Sequence, residues 1–509
     1  MTGANKATQA YEHLKKTFAE MDALGQASSI LGKDAETHMP SGAEDARINQ
    51  RIAISGAIQR MISDPQLAAQ LDEAEAQADQ LSPDDRRNLQ LMRHGWIHEA
   101  SLPADLAAEQ ARLEAEGDVL HTNNYKSGDW DKMKDWYQKS FDIMREVGAS
   151  KKDALGVSSV YEALLDQFSP GMRVAVVEKA FADISKALPD MIQQARAIQS
   201  AAPAPLPLKG PFSEEKQMIL NNIASAALGF DFKRGRLDAI KGHPSSGGAP
   251  DDNWITAQCY DDNFFPSFYS AVHESGHGLY EQTLPLSWRG QPAGQALGMA
   301  IHESQSRIME VQAGITPEFI GWLSQQAQKV FGSDPSLTAD NLQRLIQRTE
   351  PSFVRVDADE MTYPMHVILR FELEKAMIEG SLSVTDLPDA WSAGMEKKLG
   401  VRPSNNAQGC MQDIHWPTGT VGYFPAYTLG DMLAAQFFAA AQKQYPDIRK
   451  NLGKGDFTQL RGWLRDNVHS KGSLLSAEDM IINATGEPLN AQHYLNHFNQ
   501  RYLNKAPQP

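Results

Sequence analysis

Apolar residues recur at helical spacing through most of this chain, and this periodicity constrains its fold more than any other feature. One stripe near the start consists of Tyr11, Leu14, Phe18, Met21 and Leu24. Another contains Leu106, Leu113 and Leu120. Residues spaced in this way share one face of an α-helix, whereas strand-like alternation is scarce. The sequence therefore predicts a mainly α fold, with helices to about residue 200 and again beyond Pro266.

Prolines interrupt this pattern twice. A helical stretch from about Val174 to Ser200 is expected to break at Pro189, because proline lacks the amide donor. Residues 201–212 (AAPAPLPLKGPF) contain four prolines and cannot form the interior of a helix. We interpret them as a rigid strap across one large domain, 1–509, rather than a linker between two domains. Residues 1–200 would then form an N-terminal helical wall, and residues 201–509 the half with the chemistry.

One short segment has the composition of a β-strand. Residues 254–260 (WITAQCY) are aromatic and β-branched, and clusters of Gly, Pro and Asp bound them on both sides. The strand ends just before the helix that begins after Pro266. The sequence therefore predicts a small sheet beside that helix.

Composition excludes several classes of partner. The 509 residues include 64 acidic and 48 basic side chains, a net charge of −16, which disfavours nucleic acid. No apolar run approaches the ~18 residues of a membrane span, and residues 1–16 lack the apolar core of a signal peptide. Two cysteines, Cys259 and Cys410, do not form a disulfide framework. These features predict a cytoplasmic protein without a membrane partner.

The segment His273-Glu274-Ser275-Gly276-His277 is an HExxH motif. On a helix, its two histidines lie on one face, roughly 5–6 Å apart at Cβ, and both can bind one zinc ion. Glu274 then lies beside the ion and is free to transfer protons. The apolar stripe Phe268, Val272 and Leu279 favours a helix here, and Ser267 is a candidate for its cap.

Three downstream carboxylates, Glu281, Glu303 and Glu310, are candidates for a third metal ligand. Glu281 lies one turn beyond His277, beside the apolar stripe. Glu303 and Glu310 belong to a second helix, about 10 Å apart along its axis, so both cannot bind one ion. We choose Glu303, because the intervening residues suffice for a loop and a helix that packs back.

Three protein ligands leave a fourth position for water, which is typical of a catalytic zinc site. The pKa of such a water falls to near 7, and Glu274 would accept its proton during attack on a carbonyl and pass it to the leaving amine. No Cys or His follows at the short spacing that a structural zinc site needs. The motif thus indicates a zinc-dependent peptidase with one ion per subunit.

Several longer segments extend beyond this motif. In chain order they are 34–40 (DAETHMP), 273–277 (HESGH), 302–305 (HESQ), 354–366 (VRVDADEMTYPMH), 409–416 (GCMQDIHW) and 484–490 (ATGEPLN). In type, order and separation they resemble the motifs of the thermostable carboxypeptidase (Taq carboxypeptidase) family of metallopeptidases. Three positions depart from the family pattern: Lys33 replaces a tryptophan, Ser245 a phenylalanine, and Trp254 the arginine of a strand motif. These changes leave the specificity of the pocket open.

The resemblance implies a large helical metallopeptidase fold with a deep active-site groove and a small sheet beside the HExxH helix. It also implies a homodimer and metal-dependent release of C-terminal amino acids from peptides, with broad specificity and a poor fit for proline near the scissile bond. Zinc is the expected metal, and Co²⁺ can replace it in this family.

Removal of a single C-terminal residue requires a cation that binds the terminal carboxylate. Arginine suits this role, because its planar fork binds a carboxylate with two hydrogen bonds. With Trp254 at the strand position, Arg355 is the first candidate and Arg348 the second. The alternative is a surface arginine paired with Glu350 or Asp357.

Other residues are candidates for stabilising the reaction. His415 and Tyr423 lie in a Gly- and Pro-rich loop and are candidate donors to the oxyanion of a tetrahedral intermediate, or else pack the loop in place. His366 either lines the groove or is a core residue. Asp359 and Glu360 either orient the metal-binding histidines through their second nitrogens or form structural ion pairs.

Two other functions remain open from the sequence. One is an oligopeptidase or dipeptidase with the same metal chemistry, which would cleave peptides with free and blocked C-termini equally. The other is a catalytically silent peptide-binding protein that retains the site. Glu274 and all three ligands are intact, which argues against the silent protein.

Overall fold

The computed structural model describes residues 4–100 and 102–506, and its first half consists of helices. The first three residues of the charged segment 1–16 lie outside the described residues. The helices before the strap are α1 (Ala4–Thr37), α2 (Glu44–Ile62), α3 (Pro65–Glu75), α4 (Pro83–Ala100), α5 (Ala104–Asn124), α6 (Lys134–Leu155), α7 (Val160–Phe168) and α8 (Val174–Ser200).

The second half contains more helices and a small sheet, so the predicted mainly α fold is confirmed. Its helices are α9 (Glu214–Leu228), α10 (Phe265–Gln282), α11 (Gly298–Arg307), α12 (Pro317–Phe331), α13 (Ala339–Ile346), α14 (Tyr363–Glu379), α15 (Leu387–Leu399), α16 (Pro425–Gln444), α17 (Ile448–Leu452), α18 (Thr458–Asn467), α19 (Ala477–Thr485) and α20 (Ala491–Tyr502).

Two apolar cores support these helices. The smaller core lies between α1, α3 and α4, where the stripe from Tyr11 to Met21 is buried as its spacing indicates. The larger core joins helices from both sides of residues 201–212. For example, the rings of Phe181 on α8 and Phe371 on α14 pack edge to face, with centroids 5.2 Å apart. The chain before the strap therefore shares its main core with the chain after it.

Residues 201–212 are extended between α8 and α9 and are fastened to α13. The amide of Leu206 donates to Asn341 Oδ1 at 2.7 Å, and Asn341 Nδ2 donates to the Leu206 carbonyl at 3.0 Å. Arg344 also donates to the Pro203 carbonyl at 3.0 Å. These bonds satisfy backbone groups that a proline-rich segment cannot pair in a helix or sheet.

The predicted break at Pro189 is wrong, because α8 continues through it to Ser200. An internal proline costs about 3 kcal/mol of helix stability. On α8 the buried side chains before and after the proline, Leu188 and Met191 among them, belong to the same core. Burial of such side chains contributes about 1.5–3 kcal/mol each, which is sufficient to offset one lost backbone hydrogen bond.

A three-stranded sheet lies beside α10. The strands are β1 (Gly235–Ala239), β2 (Ser246–Ala249) and β3 (Asp252–Ala257), in the order β1-β3-β2. The central strand β3 pairs parallel with β1 and antiparallel with β2. The predicted strand therefore exists but begins at Asp252 and ends at Ala257. The sequences of β1 (GRLDA) and β2 (SGGA) have little intrinsic strand propensity, so only pairing with β3 reveals them.

Candidate metal centre

The HExxH motif lies on helix α10, most of which is buried. It begins at Phe265, with Pro266 in its first turn, where a missing amide hydrogen costs nothing. Ser267 is not its cap; the side chain is buried and accepts a hydrogen bond from Asn221 at 2.8 Å. The rings of His273 and His277 lie on one face with centroids 4.8 Å apart.

Helix α11 reaches this pair because Gly276 allows its backbone to come close. A Cβ atom at position 276 would lie 2.5 Å from the carbonyl oxygen of Gln305 and 2.6 Å from Cα of Ser306. This contact brings Glu303 to the histidines: its Oε2 lies 3.8 Å from His273 Nε2 and 3.5 Å from His277 Nε2. Of Glu281, Glu303 and Glu310, Glu303 is thus the carboxylate that lies near the Nε2 atoms of both histidines.

The geometry of this trio fits a tetrahedral metal ion. One ligand atom from each of His273, His277 and Glu303 lies within 4.8 Å of the others. Zinc–nitrogen bonds of about 2.0–2.1 Å require neighbouring ligands ~3.3 Å apart, so small side-chain rotations suffice. Imidazole and carboxylate donors suit zinc and cobalt. His273, His277 and Glu303 can therefore hold a divalent ion.

A second layer of polar contacts orients His277. Nδ1 of His302 lies 2.7 Å from Nδ1 of His277, and Nε2 of His302 lies 2.9 Å from Glu281 Oε1. Glu281 accepts a hydrogen bond from His302 Nε2–H, so His302 Nδ1 has a free lone pair. His277 then donates through Nδ1–H, and its Nε2 lone pair faces Glu303. Glu281 thus contacts a partner of a metal ligand.

Glu310 orients the other histidine. Its Oε2 accepts a hydrogen bond from His273 Nδ1 at 2.8 Å, and Arg307 Nη1 donates to the same oxygen at 2.6 Å. Glu310 lies in a π-helical turn, Ile308–Ala313, that continues α11, a feature frequent at functional sites. Glu310 follows Glu303 by seven residues. One helical segment therefore supplies both a candidate metal ligand, Glu303, and the hydrogen-bond partner of His273.

Asp359 and Glu360 form structural contacts instead of orienting the histidines. Arg501 Nη1 donates to Glu360 at 2.9 Å, and the Tyr502 hydroxyl donates to it at 2.6 Å. Asp359 accepts a hydrogen bond from the backbone amide of Glu350 at 2.8 Å. The structural alternative therefore holds for both carboxylates, and they fasten the 350–362 loop near α20.

Protonation in the site follows from burial and neighbouring charge. Burial, with the adjacent His302 ring, lowers the pKa of His277 to about 4, so the ring is neutral at pH 7. Burial also raises the pKa of Glu274 to about 7; the nearby His273 opposes this rise, and the carboxylate of Glu303 adds to it. A carboxyl group with such a pKa can accept and return a proton near neutral pH.

Glu303 and His273 stabilise opposite charges in each other. Burial opposes ionisation of both, but the two histidine rings lower the pKa of Glu303 to about 2. Glu303, together with the hydrogen-bonded Glu310, raises the pKa of His273 to about 9. A positive charge is thus favoured between these carboxylates, and a metal ion satisfies the same requirement.

Arg355 lies in a polar and aromatic cluster that adjoins the trio. Its Nε and Nη2 donate to Asp413 Oδ1 at 3.0 and 2.8 Å, and its Nη1 donates to the Tyr363 hydroxyl at 3.1 Å. The guanidinium also lies over the ring of Tyr427 on α16, 5.1 Å from its centroid. The same helix contacts the trio, because a Cβ at Gly430 would lie 2.6 Å from Cγ of Glu303. Helix α16 therefore connects Arg355 to the ligand cluster.

The other two candidate substrate-binding residues differ in exposure. The side chain of Arg348 is 62% exposed and pairs with Glu350, as the surface alternative predicts. His366 is fully buried, and its pKa falls to about 3 through burial and the nearby Arg370. Arg348 thus lies at the surface, whereas His366 is a buried neighbour of Arg370 and Arg355.

His415 and Tyr423 belong to the same aromatic cluster. His415 Nε2 lies 3.3 Å from the Tyr427 hydroxyl, and the rings of His415 and Tyr423 have centroids 5.7 Å apart. Burial lowers the pKa of His415 to about 3, with Arg355 adding to the effect. Burial, with the charge of Glu303, raises the pKa of Tyr423 to about 12. At neutral pH the imidazole is therefore uncharged and the phenol retains its proton.

The three departures from the family pattern lie near one another. Trp254 on β3 is paired in register with Arg236 on β1, whose guanidinium lies over the indole, 4.8 Å from its centroid. Lys33 on α1 is buried and its ammonium donates to Ser245 and, at 3.0 Å, to Glu36. The position of the family arginine is thus occupied by an indole that packs against the guanidinium of Arg236.

Comparison with known proteins agrees with the geometry. A family model described as "Carboxypeptidase Taq (M32) metallopeptidase" matches residues 13–502. The chain belongs to this family. It is 31% identical to thermostable carboxypeptidase 1 of Thermus thermophilus over 503 residues, 97% of this chain and 98% of the relative. Carboxypeptidase 1 of Bacillus subtilis is 36% identical over 350 residues, 68% of this chain and 69% of the relative.

Solved structures of the family have the same fold. Metallocarboxypeptidase 1 of Trypanosoma cruzi superposes with a TM-score of 0.95 at 31% identity, over 97% of this chain and 99% of that chain. An M32 carboxypeptidase of Deinococcus radiodurans R1 superposes with a TM-score of 0.91 at 30% identity, over the same shares. The predicted resemblance and the mainly α metallopeptidase fold are therefore confirmed.

This M32 peptidase is a metal-dependent carboxypeptidase, and its substrates are peptides. The metal is a divalent ion. Among the residues that the structure describes, no helix is both long and apolar enough to cross a bilayer.

Proposed function

We propose that this M32 peptidase uses one zinc ion per subunit to release C-terminal amino acids with broad specificity from peptides that have a free C-terminus. The observation that carries the proposal is the proximity of two groups along α16. One is the trio of His273, His277 and Glu303, and the other is the guanidinium of Arg355. A peptide bond at the trio and a terminal carboxylate at Arg355 are the two features that a carboxypeptidase must bind together.

His273, His277 and Glu303 are the residues that would hold the ion. When bound, zinc supplies a Lewis acid that polarises the scissile carbonyl and lowers the pKa of a coordinated water to near 7. The second-nitrogen contacts of His273 to Glu310 and of His277 to His302 keep both Nε2 atoms directed at Glu303.

Glu274 would transfer the proton of the hydrolysis. It accepts a proton from the water whose oxygen bonds to the carbonyl carbon. It then gives a proton to the nitrogen of the leaving amino acid as the C–N bond breaks, and so ends the cycle as a carboxylate. Its burial and its pKa of about 7 support this role, because a group is an efficient proton carrier when its pKa lies near the working pH.

His415 and Tyr423 would donate hydrogen bonds to the oxyanion that develops on the carbonyl oxygen. Neutral donors are suited to this task, because they retain their protons while stabilising negative charge. The lowered pKa of His415 and the raised pKa of Tyr423 support it.

Arg355 would hold the terminal carboxylate. A guanidinium has five N–H donors, and Asp413 and Tyr363 take three of those of Arg355. One N–H on Nη1 and one on Nη2 remain for a substrate, which is the arrangement for two parallel bonds to a carboxylate. Asp413 holds the guanidinium in place, so little side-chain entropy is lost on binding.

We also propose a cytoplasmic homodimer. Both cysteines are free, Cys259 half-buried and Cys410 buried, which suits a reducing compartment. The dimer rests on the resemblance to the family. Light scattering of the purified protein would measure it, and a monomer at micromolar concentration would contradict it.

One pair of substrates tests the carboxypeptidase proposal. The same peptide is prepared with a free and with an amidated C-terminus, and release of the last residue is followed with zinc-loaded enzyme, chelated enzyme and enzyme reloaded with Zn²⁺ or Co²⁺. We expect release from the free peptide only, its loss on chelation and its recovery with either ion. Equal cleavage of both peptides would instead indicate an oligopeptidase, release of paired residues a dipeptidase, and no turnover in any state a silent binding protein.

A further inference from the structure

A second cluster with the same ligand types lies in the N-terminal half. His94 and His98 are one turn apart on α4, and Asp166 lies opposite them on α7. Asp166 Oδ2 lies 2.5 Å from His94 Nε2 and 3.1 Å from His98 Nε2. The two imidazole rings have centroids 4.7 Å apart, compared with 4.8 Å for His273 and His277.

The three donor atoms converge on one point. One ligand atom from each of His94, His98 and Asp166 lies within 4.8 Å of the others, as in the catalytic trio. A tetrahedral zinc ion needs neighbouring ligands ~3.3 Å apart, so separations of 2.5 and 3.1 Å require only a slight outward rotation of the rings. The other carboxylate oxygen, Oδ1, accepts a hydrogen bond from the Gly171 amide at 2.9 Å, which fixes the carboxylate plane.

The charge state of the cluster suits a cation. Burial, the adjacent His94 ring and Lys151 on α6 hold the pKa of His98 below its ordinary value, so the ring is neutral, which is the form that binds metals. Although burial opposes it, hydrogen bonds from both histidines hold the pKa of Asp166 well below its usual range. The cluster therefore offers a neutral imidazole at His98 and a carboxylate at Asp166 at neutral pH.

An ion can reach the cluster from solvent. The side chain of His94 is 29% exposed, whereas those of His98 and Asp166 are buried. His94 lies on the wall of a surface cavity of about 480 Å³, which Phe18, Ile58 and Pro170 also line. Because His94 is partly exposed on the wall of this cavity, an ion can reach it from solvent and then bind the two buried ligands.

We propose that His94, His98 and Asp166 form a second site for a divalent transition-metal ion, separate from the catalytic trio and with zinc as the expected occupant. Two imidazoles and a carboxylate are ligands that zinc prefers, and the arrangement is half-buried and pre-formed. An ion there joins α4 of the N-terminal wall to α7. The C-terminal residue of α7, Phe168, packs edge to face on Tyr423, with centroids 5.0 Å apart. The second site therefore links two helices of the N-terminal wall close to Tyr423 of the catalytic half.

The first variant lacks two residues of the catalytic trio, so that zinc bound elsewhere can be measured. The double variant His273→Ala/His277→Ala is equilibrated with ZnCl₂, and the bound zinc is measured by calorimetry and by metal analysis after gel filtration. We expect one equivalent, and none once His94→Ala and His98→Ala are added. The matched control adds His13→Ala, an exposed histidine on α1, and should leave the equivalent intact. Failure of the trio variant to bind any zinc, or equal binding with and without His94 and His98, would overturn the proposal.

A second pair of variants tests the proposal in case the trio variant does not fold. In the otherwise unchanged protein, Asp166→Asn preserves the size of the side chain and an acceptor for Gly171, and His98→Ala removes one buried ligand. Each should reduce bound zinc from two equivalents to one while the peptidase activity of the catalytic site remains. If the unchanged protein binds one equivalent and both variants still bind one, Asp166 only ties the helices by hydrogen bonds and the proposal is wrong.

Discussion

Nδ1 of His302 lies 2.7 Å from Nδ1 of His277, so two ring nitrogens of the same kind share a single hydrogen. Glu281 determines which ring supplies it, because it accepts the Nε2 hydrogen of His302 at 2.9 Å and leaves Nδ1 as an acceptor. His277 must then donate, and its Nε2 atom is available to a metal. The residue immediately before the proposed ligand Glu303 thus sets the tautomer of another ligand.

Replacement of His302 tests this relationship. His302→Ala removes the acceptor of His277 Nδ1–H, and loss of such a partner weakens metal binding about 10–100-fold. Competition with a chelator of known affinity would measure the zinc Kd. His493→Ala, a half-buried histidine that contacts Glu487, is the control and should leave the Kd unchanged. An unaltered zinc Kd for His302→Ala would mean that the contact does not orient the ligand.

Glu274→Gln separates proton transfer from metal binding. Glutamine has the same shape but cannot accept the proton of the attacking water, so kcat should fall about 10²–10⁴-fold. Zinc content should stay at the level of the unchanged protein, because Glu274 is not one of the three proposed ligands. Steady-state kinetics and metal analysis of one preparation measure both. Near-full activity with bound zinc would exclude Glu274 as the proton carrier.

Gly276→Ala tests whether the approach of α11 builds the site. The added Cβ would meet backbone atoms of Gln305 and Ser306 at 2.5–2.6 Å, and backbone cannot give way as a flexible side chain can. We expect a loss of about 1–3 kcal/mol of stability and weaker zinc binding, because Glu303 moves away with α11.

A second helical glycine provides the control for that change. A Cβ atom added at Gly321 on α12 would meet no atom within 4 Å among the described residues outside its own stretch of helix. Gly321→Ala should therefore stabilise the protein by about 0.5–1 kcal/mol, through the helix propensity of alanine alone. Thermal unfolding followed by circular dichroism compares the two. Equal effects of both substitutions would show that close packing at Gly276 is not needed.

Some of the site follows from local sequence and some does not. The spacing of four residues predicts that His273 and His277 share one face, and the structure has them so. The partners of the histidines could not be found in that way. From the sequence alone, Asp359 and Glu360 are the candidates, whereas His273 is hydrogen-bonded to Glu310, in the π-helical turn that continues α11. The packing of α10 against α11 determines which carboxylate contacts His273. The spacing of residues in the sequence carries no information about that packing.

The fold shows the same division. The stripe from Tyr11 to Met21 is buried because side-chain spacing on a helix is a local property. Pro189 lies inside α8 because core packing on both sides outweighs a local preference. Strands β1 and β2 exist only because β3 offers them a paired edge. Local propensity therefore predicts most helices, but pairing and packing decide the exceptions.

The anchor for the substrate carboxylate is tested with two arginines. Arg355→Ala should lower kcat/KM for peptides with a free C-terminus about 10–100-fold, mainly through KM, because hydrogen bonds to charged groups contribute about 1.5–3 kcal/mol. Arg348→Ala is the matched control, since its exposed side chain pairs with Glu350, and it should leave kcat/KM unchanged. In the Arg355→Ala variant, Arg370 still pairs with Asp413. Circular dichroism checks that this variant is folded. A lower kcat/KM for Arg348→Ala, with no change for Arg355→Ala, would instead indicate that Arg348 binds the substrate carboxylate.

His273, His277 and Glu303 are proposed to hold the catalytic ion and to leave one position free. An anomalous difference map at the zinc edge, from crystals of the zinc-loaded protein, tests it most directly. We predict a peak about 2.0–2.1 Å from Nε2 of both histidines and at a similar distance from a carboxylate oxygen of Glu303. No peak between these three side chains, or an ion enclosed by four protein donors, would contradict this ligand assignment.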